Sequence, residues 1–301
     1  MKKLLVILGP TGVGKTNLSI DIGQHYSCPI ISSDSRQIYK GMVIGTDAPS
    51  SDQLEQVTHY FIGTLSVDDY FSASQFEDEA IQLISELHQK HDCVIMSGGS
   101  MMYIDAVCKG IDEVPDIDLV LRKQLMDLYQ KEGLDPIRMQ LKMRDPLFYD
   151  QVDLKNPKRV IHALEVCIMS GKPYSSFRTN KVKQRPFEII KIGLTRPREE
   201  LYARINKRVD EMIERGLIDE ARRFYPFKHL NSLNTVGYKE LFNYFDGDWT
   251  LEFAITKIKQ HSRNYARKQL SWFNRDKDVH WIDLSEENVN AKEEIINRVD
   301  L

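Results

Sequence analysis

The stretch Leu4-Leu5-Val6-Ile7-Leu8-Gly9-Pro10-Thr11-Gly12-Val13-Gly14-Lys15-Thr16 runs five apolar residues straight into a glycine-rich turn and a Lys-Thr pair. Residues 9–16 fit the pattern G-x-x-x-x-G-K-[ST], placed as its mechanism requires, after a strand and before a helix. Glycines let successive backbone N–H groups turn toward one point, and the following helix adds its positive N-terminal end. Lys15 supplies a point charge and Thr16 a hydroxyl for Mg2+. Gly9, Pro10, Thr11, Gly12, Val13, Gly14, Lys15 and Thr16 are thus the expected cradle for a di- or triphosphate. A bare strand-to-helix turn has no use for Lys15 and Thr16 together. The loop leaves open which phosphate compound is held, because kinases, ATPases and pyrophosphate-releasing transferases all use it.

Outward from this loop, short apolar runs recur at Leu4–Leu8, Ile30–Ile31, Cys93–Met96 and Ile189–Leu194, separated by helical patterns. That is how a parallel sheet buried on both faces reads. Helices are expected from Lys15 to about His25, Ser74 to about Gln89 and Pro197 to Arg215. About 75 residues between the third and fourth of these strands are too many for a crossover and carry their own helical patterns, near 118–133 and 157–171. The expected class is α/β: a P-loop NTPase-like parallel sheet core with an inserted helical subdomain and a helical C-terminal region. Its parts are a first core segment at 1–111, an insert at 112–186 and, at 187–301, a return strand with C-terminal helices.

A chain of 301 residues buries an ample core, and 42% hydrophobic with 28% charged residues is ordinary for a globular protein. The net charge of −3 gives no global footprint for nucleic acid, so such a partner needs local clusters of Lys and Arg. Cys28, Cys93, Cys108 and Cys167 form no C-x-x-C pair and no zinc spacing, which suits a reducing, cytoplasmic setting. No apolar run approaches the roughly 20 residues of a membrane span. No membrane partner is expected, and a monomer is.

Two further loops belong at the same sheet edge. Asp34 follows the Ile30–Ile31 strand, where ligands bind in open α/β sheets. It is either a general base or a turn aspartate, and position alone does not choose. Ser97-Gly98-Gly99-Ser100 follows the third strand as a further ligand loop or a plain turn, and it carries no acid, so the usual Walker B aspartate is missing. Lys155, Lys158, Arg159 and His162 open a basic patch in the insert. Lys257, Lys259, His261, Arg263, Arg267 and Lys268 form another, beside Tyr265, Trp272 and Phe273. Basic plus aromatic suits RNA; a solvated helix face is the other reading. Arg204 and Arg208 make a like-charged i,i+4 pair on the Pro197–Arg215 helix.

Taken in order, the P-loop, Asp34-Ser35-Arg36-Gln37-Ile38-Tyr39, Gly45-Thr46-Asp47, Gly98-Gly99-Ser100, Arg159 to Glu165, Gly237 to Glu240 and Tyr265 to Trp272 resemble the tRNA dimethylallyltransferase family (isopentenyl-tRNA transferases of the bacterial MiaA type) over nearly the whole length. The P-loop is generic; the Asp-Ser-x-Gln-x-Tyr stretch and the Gln-x-Ser-Trp ending are specific. The resemblance implies transfer of a dimethylallyl group from dimethylallyl diphosphate to the exocyclic amine of the adenine 3′ to the anticodon, with pyrophosphate released. It also implies Mg2+ as cofactor, held by Thr16, with Lys15 and Thr16 in the catalytic set, Asp34 as general base, and Arg204 or Arg208 on the departing pyrophosphate. Asp34, Ser35, Arg36, Gln37, Ser100, Lys158, Arg159 and His162 are implied contacts to the tRNA anticodon stem-loop. The alternative is a prenyltransferase or P-loop kinase acting on a free nucleotide. The chain departs from the family pattern at Met101, where glycine is usual, at the order Arg267-Lys268 and at His162.

Overall fold

In the computed structural model, residues 1–115, 118–179, 181–285 and 290–300 are described. Two compact units emerge, Met1–Cys108 with Gln184–Leu301, and Lys109–Lys183. Arg185 goes with the first, because its guanidinium donates to the carbonyls of Ala106 and Val107 and pairs with buried Glu77 at 2.8 Å.

The first unit is built on a six-stranded sheet: β1 (Lys3–Leu8), β2 (Ile30–Ser32), β3 (His59–Tyr60), β4 (Cys93–Gly98), β5 (Glu188–Thr195) and β6 (Val279–Asp283). The order is β3-β2-β4-β1-β5-β6 and every pairing is parallel. β1 lies between β4 and β5, with Leu5 level with Ile95 on one side and Ile190 on the other. Its side chains alternate between two cores: Leu5 and Ile7 join Ile95, Ile192 and Leu194, while Leu4, Val6 and Leu8 join Ile31, Val94 and Met96. Each such side chain, fully removed from water, contributes about 1.5–3 kcal/mol. This double burial is why the strand reads as an unbroken apolar run rather than an alternation.

Helix limits follow from local chemistry. Lys15–His25 starts at Gly14, and Ala73–Leu87 starts in a reciprocal capping box between Ser72 and Gln75. Arg198–Glu214 turns Leu201, Ile205, Val209 and Met212 inward. In the second unit Asp118 caps Leu119–Glu132, Asn156 caps Pro157–Ser170, and Gly171, at φ 68°, ends the latter. Leu125, Ile137, Leu141, Val160 and Leu164 form that unit's own core.

Two strands lack a sequence signal. β3 has two residues, and β6, Val-His-Trp-Ile-Asp, follows Asp276-Lys277-Asp278 and has only Val279 and Ile282 buried, so neither gives a long apolar run. The C-terminal region is therefore helical with one edge strand. Among the described residues no helix is long and apolar enough to cross a membrane.

Candidate active site

The carboxyl ends of β1, β2 and β4 carry the P-loop, Asp34 and the Gly98-Gly99-Ser100 loop to one sheet edge. The loop's last glycine, Gly14, has φ 117°, a left-handed conformation that an L side chain resists, and it begins the Lys15–His25 helix without a side-chain cap. The helix's own first turn carries no acidic residue at its positive end. Lys15 Nζ donates to the carbonyls of Gly9 (3.0 Å) and Pro10 (2.8 Å). Burial, and next the charge of Arg208, push its pKa down to about 8, against the pull of Asp34 and Asp47.

Arg204 and Arg208 turn from the Arg198–Glu214 helix onto the P-loop. Arg204 Nε donates to the Gly12 carbonyl at 3.0 Å, and Arg208 Nη2 to Thr11 Oγ1 at 2.6 Å. Arg208 Nη1 also pairs with Asp47 Oδ2 at 3.1 Å, so the like-charged pair is relieved by a carbonyl and a carboxylate. Its Nε is buried and has no partner among the described residues.

Asp34 closes a turn with one carboxylate oxygen and borders two cavities. One oxygen, Oδ1, accepts from the N–H groups of Arg36 (2.8 Å) and Gln37 (3.3 Å), closing a turn. No hydrogen bond engages Oδ2 among the described residues, and the side chain lines two cavities, of about 620 and 280 Å3. These share Thr11, Asp34, Thr46, Arg208 and Tyr265. The larger holds Lys15 and Thr16; the smaller adds Met212, Leu217 and Ile258. Tyr265 has its pKa raised, by burial first and then by the charge of Asp34, so its hydroxyl keeps its proton.

The neighbours of Asp34 make an internal scaffold. Ser100, buried, accepts from the Ser35 N–H at 2.8 Å and donates to Ser35 Oγ at 3.1 Å. Arg36 Nη1 donates to the carbonyls of Asn231 and Ser232, while Gln37 Nε2 donates to those of Thr46 and Asp47 at 3.2 Å. Of these residues, Ser35 and Arg36 border the smaller cavity and Gln37 the larger. At the tip of β4, Ser97 stands where an ATPase would carry its acid, and its hydroxyl accepts from Ser19 Oγ at 2.7 Å.

Lys158, Arg159 and His162 lie in the second unit, on the Pro157–Ser170 helix, the first two exposed. His162 Nδ1 is 3.8 Å from Glu165, which Arg122 grips through two bonds of 2.7 and 2.6 Å. Burial raises the Glu165 carboxyl, but the bonds from His162 and Arg122 outweigh it and hold the group below its usual range.

Residues that sequence reasoning left unassigned complete the site. Gln269 accepts from the Thr11 N–H at 2.9 Å and donates to the Gly99 carbonyl at 2.8 Å, tying the Leu251–Phe273 helix to two loops. A Cβ on Gly99 would lie 2.3 Å from Gln269 Nε2, which is why glycine stands there. Arg267 and Lys268 are exposed, so their order does not touch this contact. Asp47 pairs with Arg208 and, at 3.5 Å, with Arg215. Both Gln269 and Asp47 sit in motifs visible in the sequence, but nothing there reveals their partners.

The second basic run fits an RNA face less well than its composition suggests. Lys259 pairs with Asp210, Arg263 donates to Asn206, and His261 meets Glu240 at 2.6 Å. Phe273 is core, and the Trp272 indole donates to Asp105 at 2.7 Å.

Comparison with known proteins gives the family. The IPP transferase family model matches residues 37–276, so the match begins beyond the P-loop and does not depend on it. The chain is 60% identical over 278 residues to tRNA dimethylallyltransferase 1 of Phocaeicola vulgatus, covering 92% of this chain and 93% of the relative. It is 46% identical to the tRNA dimethylallyltransferase of Christiangramia forsetii, covering 98% of both. Among solved structures, the tRNA isopentenylpyrophosphate transferase of Bacillus halodurans superposes with a TM-score of 0.74 at 34% identity, covering 100% of this chain and 96% of that one. A eukaryotic dimethylallyltransferase acting on tRNA superposes at 0.86 with 25% identity, covering 100% and 79%. A match across 37–276, joined to relatives this similar over nearly their full length, places the chain in the IPP transferase family.

Proposed function

We propose that this chain transfers the dimethylallyl group of dimethylallyl diphosphate to the exocyclic amine of the adenine 3′ to the anticodon in tRNA, releasing pyrophosphate. The observation that carries the reading is that Asp34 and Arg208 stand where two cavities meet, one lined by the P-loop and one with an apolar wall. A diphosphate held by the loop leaves through the first while the acceptor amine arrives next to Asp34. The amine nitrogen forms a bond to the terminal carbon of the allyl group, the bond from that carbon to oxygen breaks, and the electron pair departs on pyrophosphate. The nitrogen's proton passes to Asp34. Backbone N–H groups and Lys15 stabilise charge that grows on the leaving group, so they favour the transition state over the ground state.

Mg2+ fits the donors present. Among the described residues no three His, Cys, Asp or Glu side chains are grouped so as to hold a metal ion by themselves, whereas Mg2+ takes few protein ligands and keeps waters and phosphate oxygens, and Thr16 lines the larger cavity. Thr16 and the diphosphate would hold it, and it would neutralise leaving-group charge.

The adenine must leave its stack to reach Asp34, and the exposed Lys158 and Arg159 of the second unit supply contacts to the anticodon stem-loop. A monomer at work in the cytoplasm completes this reading. Ser97 in place of an acid disfavours the nucleotide kinase alternative.

The test is a single-turnover reaction with dimethylallyl diphosphate, Mg2+ and unmodified tRNA, the tRNA weighed by mass spectrometry. Prenyl mass is expected, and its absence with the wild-type protein sinks the assignment. Asp34→Asn is expected to slow the step by about 10²–10⁴ with pyrophosphate affinity retained; equal losses in both would make Asp34 a binding residue.

A further inference from the structure

Asp47 puts a carboxylate on the same arginines that a diphosphate in the P-loop cavity would engage. It holds φ 52°, rare for a residue with a side chain, and this is built in rather than incidental. Gln37 Nε2 bonds the carbonyls of Thr46 and Asp47 from one side. From the other, the buried carboxylate of Glu220 accepts the N–H groups of Val43, Ile44 and Gly45 at 3.1, 2.8 and 2.8 Å and the Tyr238 hydroxyl at 2.7 Å. The backbone of residues 43–47, which delivers Asp47, is thereby held by two side chains from elsewhere in the chain.

Its two oxygens are divided between two guanidinium groups, Oδ2 on Arg208 and Oδ1 on Arg215. Both arginines line the P-loop cavity with Lys15, and Arg208 also bonds Thr11 of the loop. A guanidinium donor that serves a carboxylate does not serve a phosphate at the same time, and the fixed negative charge repels an incoming polyanion.

We propose that Asp47 is an internal competitor for these arginines, which weakens retention of pyrophosphate and hastens its departure once carbon transfer is complete. This rests on the reading of the cavity as a diphosphate site. Two rival roles predict opposite signs: a carboxylate that only preorganises Arg208 strengthens anion binding, and one that ligates Mg2+ strengthens it when the metal is present.

The test uses inorganic pyrophosphate, titrated calorimetrically into the full-length protein with and without Mg2+, and Asp47→Asn. Asparagine tolerates the left-handed backbone, and Asp47→Gly serves as a second variant. Both are expected to bind pyrophosphate about two- to fivefold more tightly in either condition, and in multiple-turnover reactions to show a burst followed by slower release. Unchanged or weaker binding overturns the proposal; weakening confined to Mg2+ overturns it in favour of a metal ligand. Lys15→Met separates the two layers. If wild-type protein binds pyrophosphate no better than Lys15→Met, the diphosphate reading itself fails, whatever Asp47 does.

Discussion

Lys15 sits among Arg208, Asp34 and Asp47, and burial is the largest influence on its proton, with Arg208 next. A lysine whose folded pKa is depressed from 10.5 to about 8 resists its charge in the free protein. The cost of carrying that charge is present below pH 8 and fades as pH rises toward 10.5. A bound polyphosphate supplies the missing counter-charge and draws the pKa back up. Pyrophosphate affinity should therefore fall as pH rises through 8, and binding near pH 8 should take up about half a proton. Calorimetry in two buffers of different ionisation enthalpy measures that uptake. In Lys15→Met the uptake should vanish apart from pyrophosphate's own titration, and an identical uptake would remove Lys15 from the phosphate grip. At this scale the sequence was most informative: the identity of Lys15 and Thr16 follows from spacing alone. The pairing of Asp47 with Arg208 does not, because their side chains meet across 161 positions and neither belongs to a pattern with a fixed partner.

The Leu251–Phe273 helix shows what an element adds that a motif does not. Its basic run draws attention to 257–268, yet Gln269, an uncharged residue buried to 1% exposure, joins the P-loop to the loop after β4. Gln269→Leu keeps the volume and removes both bonds, leaving the Thr11 N–H and the Gly99 carbonyl without that partner. A loss of about 1–3 kcal/mol is expected, seen as a lower urea midpoint with unchanged slope. An unaltered midpoint would mean that the bridge is dispensable to the fold. Helix limits were largely legible, since Ser72, Asp118, Asn156, Gly14 and Gly171 are local signals. β6 was not, because an edge strand needs only a half-buried face. Phe273 and Trp272 were misleading for a related reason: apolar and aromatic residues beside basic ones look alike whether they stack on a base or on a core.

For the whole molecule, part of the proposed tRNA contact falls on charges far from the P-loop in sequence, on a unit with its own core at Leu125, Ile137 and Leu164. Replacing both Lys158 and Arg159 by alanine should weaken tRNA binding and lower the slope of log affinity against log salt by about 1–2. Pyrophosphate binding should stay as it was. A slope equal to that of the wild type would show that these side chains do not meet phosphates. The place of this unit in the chain also has a consequence for synthesis. β1 needs β4 and β5 as neighbours, but about 90 residues separate Gly98 from Glu188. At 5–20 residues per second a ribosome takes roughly 5 to 20 s to supply them. Throughout that interval Leu4 to Leu8 has one open hydrogen-bonding edge, so the nascent chain presents its most apolar strand to chaperones until the last partner emerges.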